Sequence, residues 1–319
     1  MQNQTESSIQ LGRTEVRVSP VGVGTNSWGA GGRADAKKQP TFDALLQAGI
    51  TLFDTAEIYT RGASERTIGQ CIMTAAAAAA RGSAAAPVVL TKFFPLPWRL
   101  GKAALPAALK RSLERLQLPR VDVYLLHFPI PPVAVETWAD ALADVVQAGL
   151  ARSVGISNCD ARQTRRAHAV LSTRGVPLAC NEVELSLLKR APLASGLLAA
   201  CRELGVTLIA YRPLAMGMLG GKYSVEHPPA GIRSLMFGRS SLGRLQPLIA
   251  SMKQIGEAHG GKTVSQVAIN WVICKGALPI PGAKSEEQAR ENAGAMGWRL
   301  TAVEVAALDA AAEKVGRQG

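Results

Sequence analysis

A rhythm of short apolar runs, each closing on a polar or ionisable residue, limits what this chain can fold into. Ile50 to Asp54, Val88 to Lys92 and Val123 to His127 are the clearest, and Gly155 to Ser157, Asn181 to Val183, Ala210–Tyr211 and Pro279 to Pro281 continue the series. The runs fall mostly about 25 to 40 residues apart, roughly one strand plus one crossover helix per step. Parallel strands are buried on both faces, so their polar chemistry gathers at the carboxyl ends. The pattern predicts an α/β fold, a (β/α)8 TIM barrel, with Asp54, Tyr59, Lys92 and His127 at one mouth.

The 319 residues, 47% of them hydrophobic, suffice for one such barrel with extra loops, which ordinarily takes about 250 residues or more. A single domain over residues 1–319 is expected, with Met1 to Ser8 lacking fixed structure. Ser8 to Ser19 alternates apolar and polar about Gly12, the pattern of a small hairpin closing the bottom of the barrel. Apolar residues at helical spacing follow the strands, as in Phe42, Leu45 and Leu46 or Leu105, Leu109, Leu113 and Leu116. Asp160 and Ser285 stand at expected N-caps, and Ala75 to Ala80 reads as the frayed end of the second helix. After the seventh strand, Met216 to Gly243 reads as a long loop carrying Lys222, Arg233 and Arg239, with a helix from near Leu245. Loops beyond about 15 residues are usually lids or binding loops.

Composition narrows the partners. The formal charge is +12, but the basic residues are dispersed and aromatics make up 5% of the chain. No basic patch with interleaved stacking residues results, so nucleic acid is not an expected partner, and the positive field suits a polyanionic cofactor instead. Cys71, Cys159, Cys180, Cys201 and Cys274 include no CxxC pair and no histidine at ligand spacing, which points to reduced structural thiols, a reducing compartment and no metal. Met1 to Gln10 has no apolar h-region and no run approaches the roughly 20 residues of a membrane span, so a soluble protein is expected. His168, His227 and His259 read as surface residues.

Phe53 to Tyr59 (FDTAEIY), Thr91–Lys92, Leu126–His127, Gly155 to Asn158 (GISN) and Ala210 to Leu214 (AYRPL) occur in the order and at the spacing of the aldo-keto reductase family. The chain resembles that family over nearly its whole length. Within it, Pro97 to Leu100, Gly217 to Tyr223, Arg233 to Phe237, Val267 to Gly276 and Gly297 to Leu300 are most similar to the pyridoxal reductases of plant plastids. The resemblance implies NADPH-dependent reduction of an aldehyde to an alcohol, first pyridoxal to pyridoxine, with broad reduction of reactive aldehydes as the alternative. A cofactor-sensing subunit, like the family's channel β-subunits, is a reading of another class. The full set of Asp54, Tyr59, Lys92 and His127 argues against it, because sensing needs no proton donor. The implied partner is a small-molecule aldehyde, the state a monomer or weak homo-oligomer, and the compartment cytoplasm or plastid stroma.

Carbonyl reduction delivers a hydride to carbon and needs a proton for oxygen. A tyrosine with an ordinary pKa near 10 supplies it best when a neighbouring ammonium stabilises the phenolate. By resemblance Tyr59 is that acid, Lys92 the ammonium that lowers its pKa, Asp54 the group that orients Lys92, and His127 the donor that polarises the carbonyl. Trp28, Phe93, Trp98 and Phe128 suit an aromatic wall for a flat substrate beside Tyr59 and His127.

Val21 to Trp28 is not a Rossmann fingerprint, since Ser27 takes the place of the third glycine and no crossover helix opens there. The resemblance instead implies that Gly24, Thr25 and Asp54 border the cofactor, that Ser157, Asn158 and Glu182 hold the nicotinamide amide, and that Tyr211 stacks on the ring. Leu214, Gly217, Leu219 and Lys222 match the loop crossing the pyrophosphate. The turn Gly282, Lys284, Ser285 opens a helix whose amino end favours an anion, and Lys284 suits a 2′-phosphate, which implies NADPH over NADH. Gln288 and Asn292, one turn apart, match residues facing the adenine. Two residues depart from the family's habit: Glu182 stands where glutamine is usual and Arg212 where serine is common. Arg212 could neutralise Glu182 or reach the pyrophosphate.

Overall fold

Alternation along the strands decides what the barrel encloses. The computed structural model describes residues 8–29, 32–79, 86–231, 234 and 238–316. In chain order the strands are β1 (Ile9–Gln10), β2 (Arg17–Val18), β3 (Val23–Gly24), β4 (Leu52–Asp54), β5 (Val88–Phe93), β6 (Val121–Leu126), β7 (Ala151–Ser157), β8 (Leu178–Glu184), β9 (Thr207–Tyr211) and β10 (Leu278–Ile280). β1 and β2 form an antiparallel hairpin, and β3 to β10 form one parallel sheet in sequential order. Gly22 N–H donates to Pro279 O at 2.9 Å and Gly24 N–H to Pro281 O at 3.0 Å, joining the first barrel strand to the last. The expected TIM barrel with its N-terminal hairpin is therefore present.

Successive side chains on a strand point to opposite faces. Leu52, Leu90, Val123, Leu125, Cys180, Ile209 and Ile280 point inward and pack as one cluster, to which the hairpin adds Leu11, Val16 and Val18 from below. Their neighbours Phe53, Val89, Tyr124, Leu126 and Ala210 point outward against the helices. The barrel centre is thus a filled apolar plug, and the inward positions two residues further on fall at the mouth. Gly155 lies where β7 crosses that plug: a Cβ there would stand 2.6 Å from Leu125 Cδ2 and 2.8 Å from the Cys180 carbonyl. Gly155→Ala is expected to cost about 1–3 kcal/mol by overpacking, read as a lower unfolding midpoint.

Helices Ala63–Ala79, Ala104–Leu116, Val135–Gln147 and Ala161–Thr173 cover the first strands. Asp160 caps the last of these in a capping box with Gln163, and Ser285 caps Glu286–Ala293 by accepting from Gln288 N–H, as the sequence indicates. The helix after the seventh barrel strand runs Arg239–Ala258, six residues earlier than its expected start, with Pro247 inside it. Leu242, Leu245, Leu248, Ile249 and Met252 are buried along it, and this packing outweighs the breaker signals of Gly243 and Pro247. His259, expected at the surface, pairs with Glu304 at 2.9 Å and packs 4.8 Å from the Trp298 ring. Met1 to Ser7, Ala80 and most of the Arg233 to Phe237 segment lie outside the described residues. Among the described residues no helix is long and apolar enough to cross a membrane.

Candidate active site

The parity that fills the barrel also builds its mouth. Two residues beyond Leu52, Leu90, Leu125, Cys180 and Ile209 come Asp54, Lys92, His127, Glu182 and Tyr211, all on the inward face. Lys92 is fully buried. Its ammonium donates to Asp54 Oδ1, to Thr55 O at 3.0 Å and to the Tyr59 hydroxyl at 3.4 Å. Tyr59 reaches in from the turn Tyr59–Gly62, its ring edge-on to His127 at 5.7 Å. The four residues expected to work together are together.

Glu182 joins them, with Oε2 3.4 Å from Lys92 Nζ. Arg212 does not reach Glu182. It lies 3.6 Å from Glu184 instead, with half its side chain exposed. Glu184 sits two residues along the same face of β8, nearer the rim, and the longer reach to Glu182 would bury a guanidinium.

Burial dominates the electrostatics. It works against the charge on Lys92, but Asp54, Glu182 and Tyr59 outweigh it and hold the ammonium above ordinary lysine. Burial raises Asp54 despite the Lys92 charge. Tyr59 is also raised: burial is the largest cause, the Lys92 charge opposes it, and Asp54 and Glu182 add to the rise. The expected lowering of the tyrosine pKa is therefore corrected: Lys92 acts in that direction but does not prevail, and Tyr59 stays a phenol. Burial, then Lys92, pushes His127 down to about 3, so the imidazole is neutral and offers one N–H and one lone pair. His127 Nδ1 and Glu182 Oε2 are buried without hydrogen-bond partners, which marks the mouth as built for a polar guest.

Several expected contacts differ. Phe93 is the outward neighbour of Lys92 and packs 4.9 Å from the Trp138 ring, away from the mouth. Phe94 takes its place, edge-on to His127 at 5.6 Å and 5.9 Å from Phe128, which itself stacks on His127 at 5.1 Å. Glu57 fixes that wall by accepting from Phe94 N–H at 2.8 Å and pairing with Arg99. Trp98 is 75% exposed, on the rim. Trp28 is fully buried against Phe53, its indole N–H donating to Ala283 O at 2.8 Å, so it braces the last βα turn. Thr25 is buried as well, its hydroxyl bonded to Asp54 O at 2.7 Å, beside the half-buried Gly24.

On the other side, Asn158 N–H donates to Glu182 O at 2.9 Å. Its amide donates to His127 O and Ser157 Oγ, both at 3.0 Å, and accepts from the Tyr211 hydroxyl at 3.0 Å. Backbone strain gathers here: Thr60, Arg61, Asn158, Arg212, Ala215 and Met216 have φ between 45° and 59°, a region that costs a non-glycine residue energy and recurs at ligand sites. Leu219 is buried and Leu214 half-buried, so both can face a guest through backbone, while Gly217 has nothing within 4 Å of an added Cβ except Lys222 Cε at 4.0 Å. Lys284 is exposed at the start of Glu286–Ala293, and Lys38, which the sequence did not single out, donates to Lys284 O at 3.0 Å. Gln288 accepts from Lys284 N–H at 2.8 Å, leaving its NH2 outward. Asn292 is buried and donates to Gly282 O at 3.3 Å, so it supports the turn. A cavity of about 1070 Å³ lies beside the mouth against Leu187, Arg212, Met216 and Arg244, and none of Asp54, Tyr59, Lys92 or His127 lines it.

An eight-stranded barrel with a buried lysine, an acid, a tyrosine and a histidine at its carboxyl-end mouth defines a class of oxidoreductase. The chain belongs to the aldo/keto reductase family, whose model matches residues 20–313. It is 40% identical over 311 residues to the chloroplastic pyridoxal reductase of Arabidopsis thaliana, covering 93% of this chain and 84% of that one. It is 36% identical over 309 residues to an uncharacterized oxidoreductase of Mycobacterium tuberculosis, covering 93% and 90%. An aldo/keto reductase of Klebsiella pneumoniae, solved in complex with NADP and acetate, superposes with a TM-score of 0.73 at 29% identity, over 96% of this chain and 95% of that one.

Proposed function

We propose that this protein reduces an aldehyde to an alcohol with NADPH, pyridoxal to pyridoxine first among the candidates. The observation that carries the reading is the single contact group in which buried Lys92 touches both Asp54 and the Tyr59 hydroxyl beside a neutral His127. Bound NADPH supplies the hydride. Tyr59, held as a phenol, gives its proton to the carbonyl oxygen as charge develops there, and Lys92 stabilises the phenolate left behind. His127 positions the carbonyl through its remaining N–H. Phe94 and Phe128, with Trp98 at the rim, suit a flat aromatic aldehyde.

The residues fit a dinucleotide. Ser157, Asn158, Glu182 and Tyr211 line consecutive strands β7 to β9, the strained turn from Arg212 to Gly217 brings backbone close to a guest, and Lys284 with Lys38 places positive charge at a helix amino end. The whole chain acts as one domain, with the segment 216–243 carrying the cofactor and substrate contacts, a monomer or weak homo-oligomer. Five free cysteines support a reducing compartment, cytoplasm or plastid stroma.

NADPH oxidation measured in parallel with pyridoxal, methylglyoxal and 4-nitrobenzaldehyde tests the reading. A clear preference for pyridoxal supports it, comparable rates with all three favour the broad reductase, and no oxidation with any of them sinks the enzyme reading. For the cofactor, NADPH is expected to bind more tightly than NADH, and Lys284→Ala to shrink that gap by about 10- to 100-fold, the worth of one charge-assisted hydrogen bond. Fluorescence titration of both cofactors reads it, and equal affinities in the wild type refute the 2′-phosphate role.

A further inference from the structure

Glu182 takes no part in the proton step described above, yet three observations converge on it. Its carboxyl group is buried in the barrel, Oε2 lying 3.4 Å from Lys92 Nζ without a hydrogen-bond partner. Lys92 is in turn 3.4 Å from the Tyr59 hydroxyl, so exchangeable groups run in a line from Glu182 to the proton donor. The titratable groups facing Glu182 are Asp54 on β4, Tyr59 after β4, Lys92 on β5, Cys180 on its own strand and Tyr211 on β9, with His127 beyond Lys92. Two carboxyl groups thus share one ammonium. A single carboxylate balances it, and in a dry site the second is more stable as the acid.

Hydrogen-bond supply makes the same point. The Ser157 hydroxyl donates to Glu182 O at 2.8 Å, and the Asn158 amide hydrogens go to His127 O and Ser157 Oγ. A carboxamide laid against these three residues finds acceptors, but its own oxygen finds a donor among them only in the acid form of Glu182.

We infer that Glu182 stores the proton that aldehyde reduction consumes, holding it while the cofactor ring is neutral and passing it through Lys92 to Tyr59 as the ring turns positive. This rests on the NADPH-dependent reading above. The carbonyl carbon takes the hydride, the carbonyl π pair moves to oxygen, and that oxygen takes the Tyr59 proton. The phenolate recovers a proton from the Lys92 ammonium, and the resulting amine recovers one from the Glu182 carboxyl group. In sum, NADPH, aldehyde and Glu182 acid become NADP+, alcohol and Glu182 carboxylate. The carboxylate then faces a positive ring across a desolvated site, which offsets the cost of its burial. It takes a proton from water once product and cofactor have left. Burial first, then the charge of Asp54, pushes Glu182 up to about 8, so the acid prevails near neutrality.

Calorimetric titration of the whole protein near neutral pH, in buffers of different ionisation heat, counts the protons released on cofactor binding. Wild type should release about one proton with NADP+ and none with NADPH, and Glu182→Gln none with either. The wild-type reduction rate should also fall as pH rises through about 8, because the acid form is lost, and Glu182→Gln should lack that limb. Equal proton release by the two proteins overturns the inference, as does an alkaline limb that persists in the variant. Failure of NADP+ to bind wild type overturns instead the cofactor reading on which it rests. Should the variant not fold, the infrared spectrum of the wild-type protein without cofactor decides: a protonated-carboxyl band that fades through about pH 8 is expected, and its absence overturns the inference.

Discussion

Tyr59→Phe is expected to lower kcat for aldehyde reduction by about 100- to 10,000-fold, the range over which a positioned general acid acts. The variant keeps the ring that meets His127 edge-on at 5.7 Å and loses only the hydroxyl, so cofactor affinity should hardly move. Lys92→Met should be comparably slow for a different reason. It removes the ammonium that stabilises the phenolate and leaves Asp54 and Glu182 buried without their cation, so it should also destabilise the fold, as Tyr59→Phe should not. Steady-state kinetics with fluorescence titration of NADPH separates the effects. Turnover near the wild-type level in Tyr59→Phe would mean that another group gives the proton.

The largest expected loss of stability lies outside the mouth, behind Lys92. Glu65 is fully buried and accepts from the Thr91 hydroxyl at 2.6 Å and from Arg115 Nε at 2.5 Å. Thr91 is the outward neighbour of Lys92, so this group ties the strand that carries the lysine to the helices Ala63–Ala79 and Ala104–Leu116. Arg115→Ala leaves a buried carboxylate without its cation, which typically costs about 3–5 kcal/mol. Replacing both Glu65 and Arg115 by methionine should recover much of that loss, because the stranded charge goes with its partner. The exposed pair Arg165 and Glu203 is the control, where Arg165→Ala should have little effect. Denaturant unfolding of the four proteins reads the result, and an Arg115→Ala cost no greater than that of Arg165→Ala would refute the buried-charge account.

Much of the mouth was legible because strand ends repeat and the residues that close them are ionisable. Asp54, Lys92 and His127 needed only that rhythm. The error over Phe93 shows a signal present but unused: if Lys92 points inward, its neighbour points outward, and Phe94, past the strand end, becomes the candidate. Other features needed three dimensions. Both Glu182 and Glu184 lie within sequence reach of Arg212, and only their depth in the barrel decides between them. The spacing of Gln288 and Asn292 puts them on one side of a helix without saying that Asn292 turns inward to Gly282. Trp28 and Ala283 meet across 255 positions of chain, a contact no local pattern announces. The direction of the Tyr59 shift depended on how dry the mouth is, which composition does not reveal.

The hairpin beneath the barrel has a consequence for traffic. With Leu11, Val16 and Val18 packed under Leu52, Leu90 and Ile209, the barrel is a flask stoppered at its base. Solvent ions, denaturant, inhibitor and substrate all share one doorway with the charged cluster. An occupant seated in that doorway isolates the cluster from bulk water. Whatever hydrogen the chemistry needs must already be inside when the door shuts, and the count resets only when the occupant leaves.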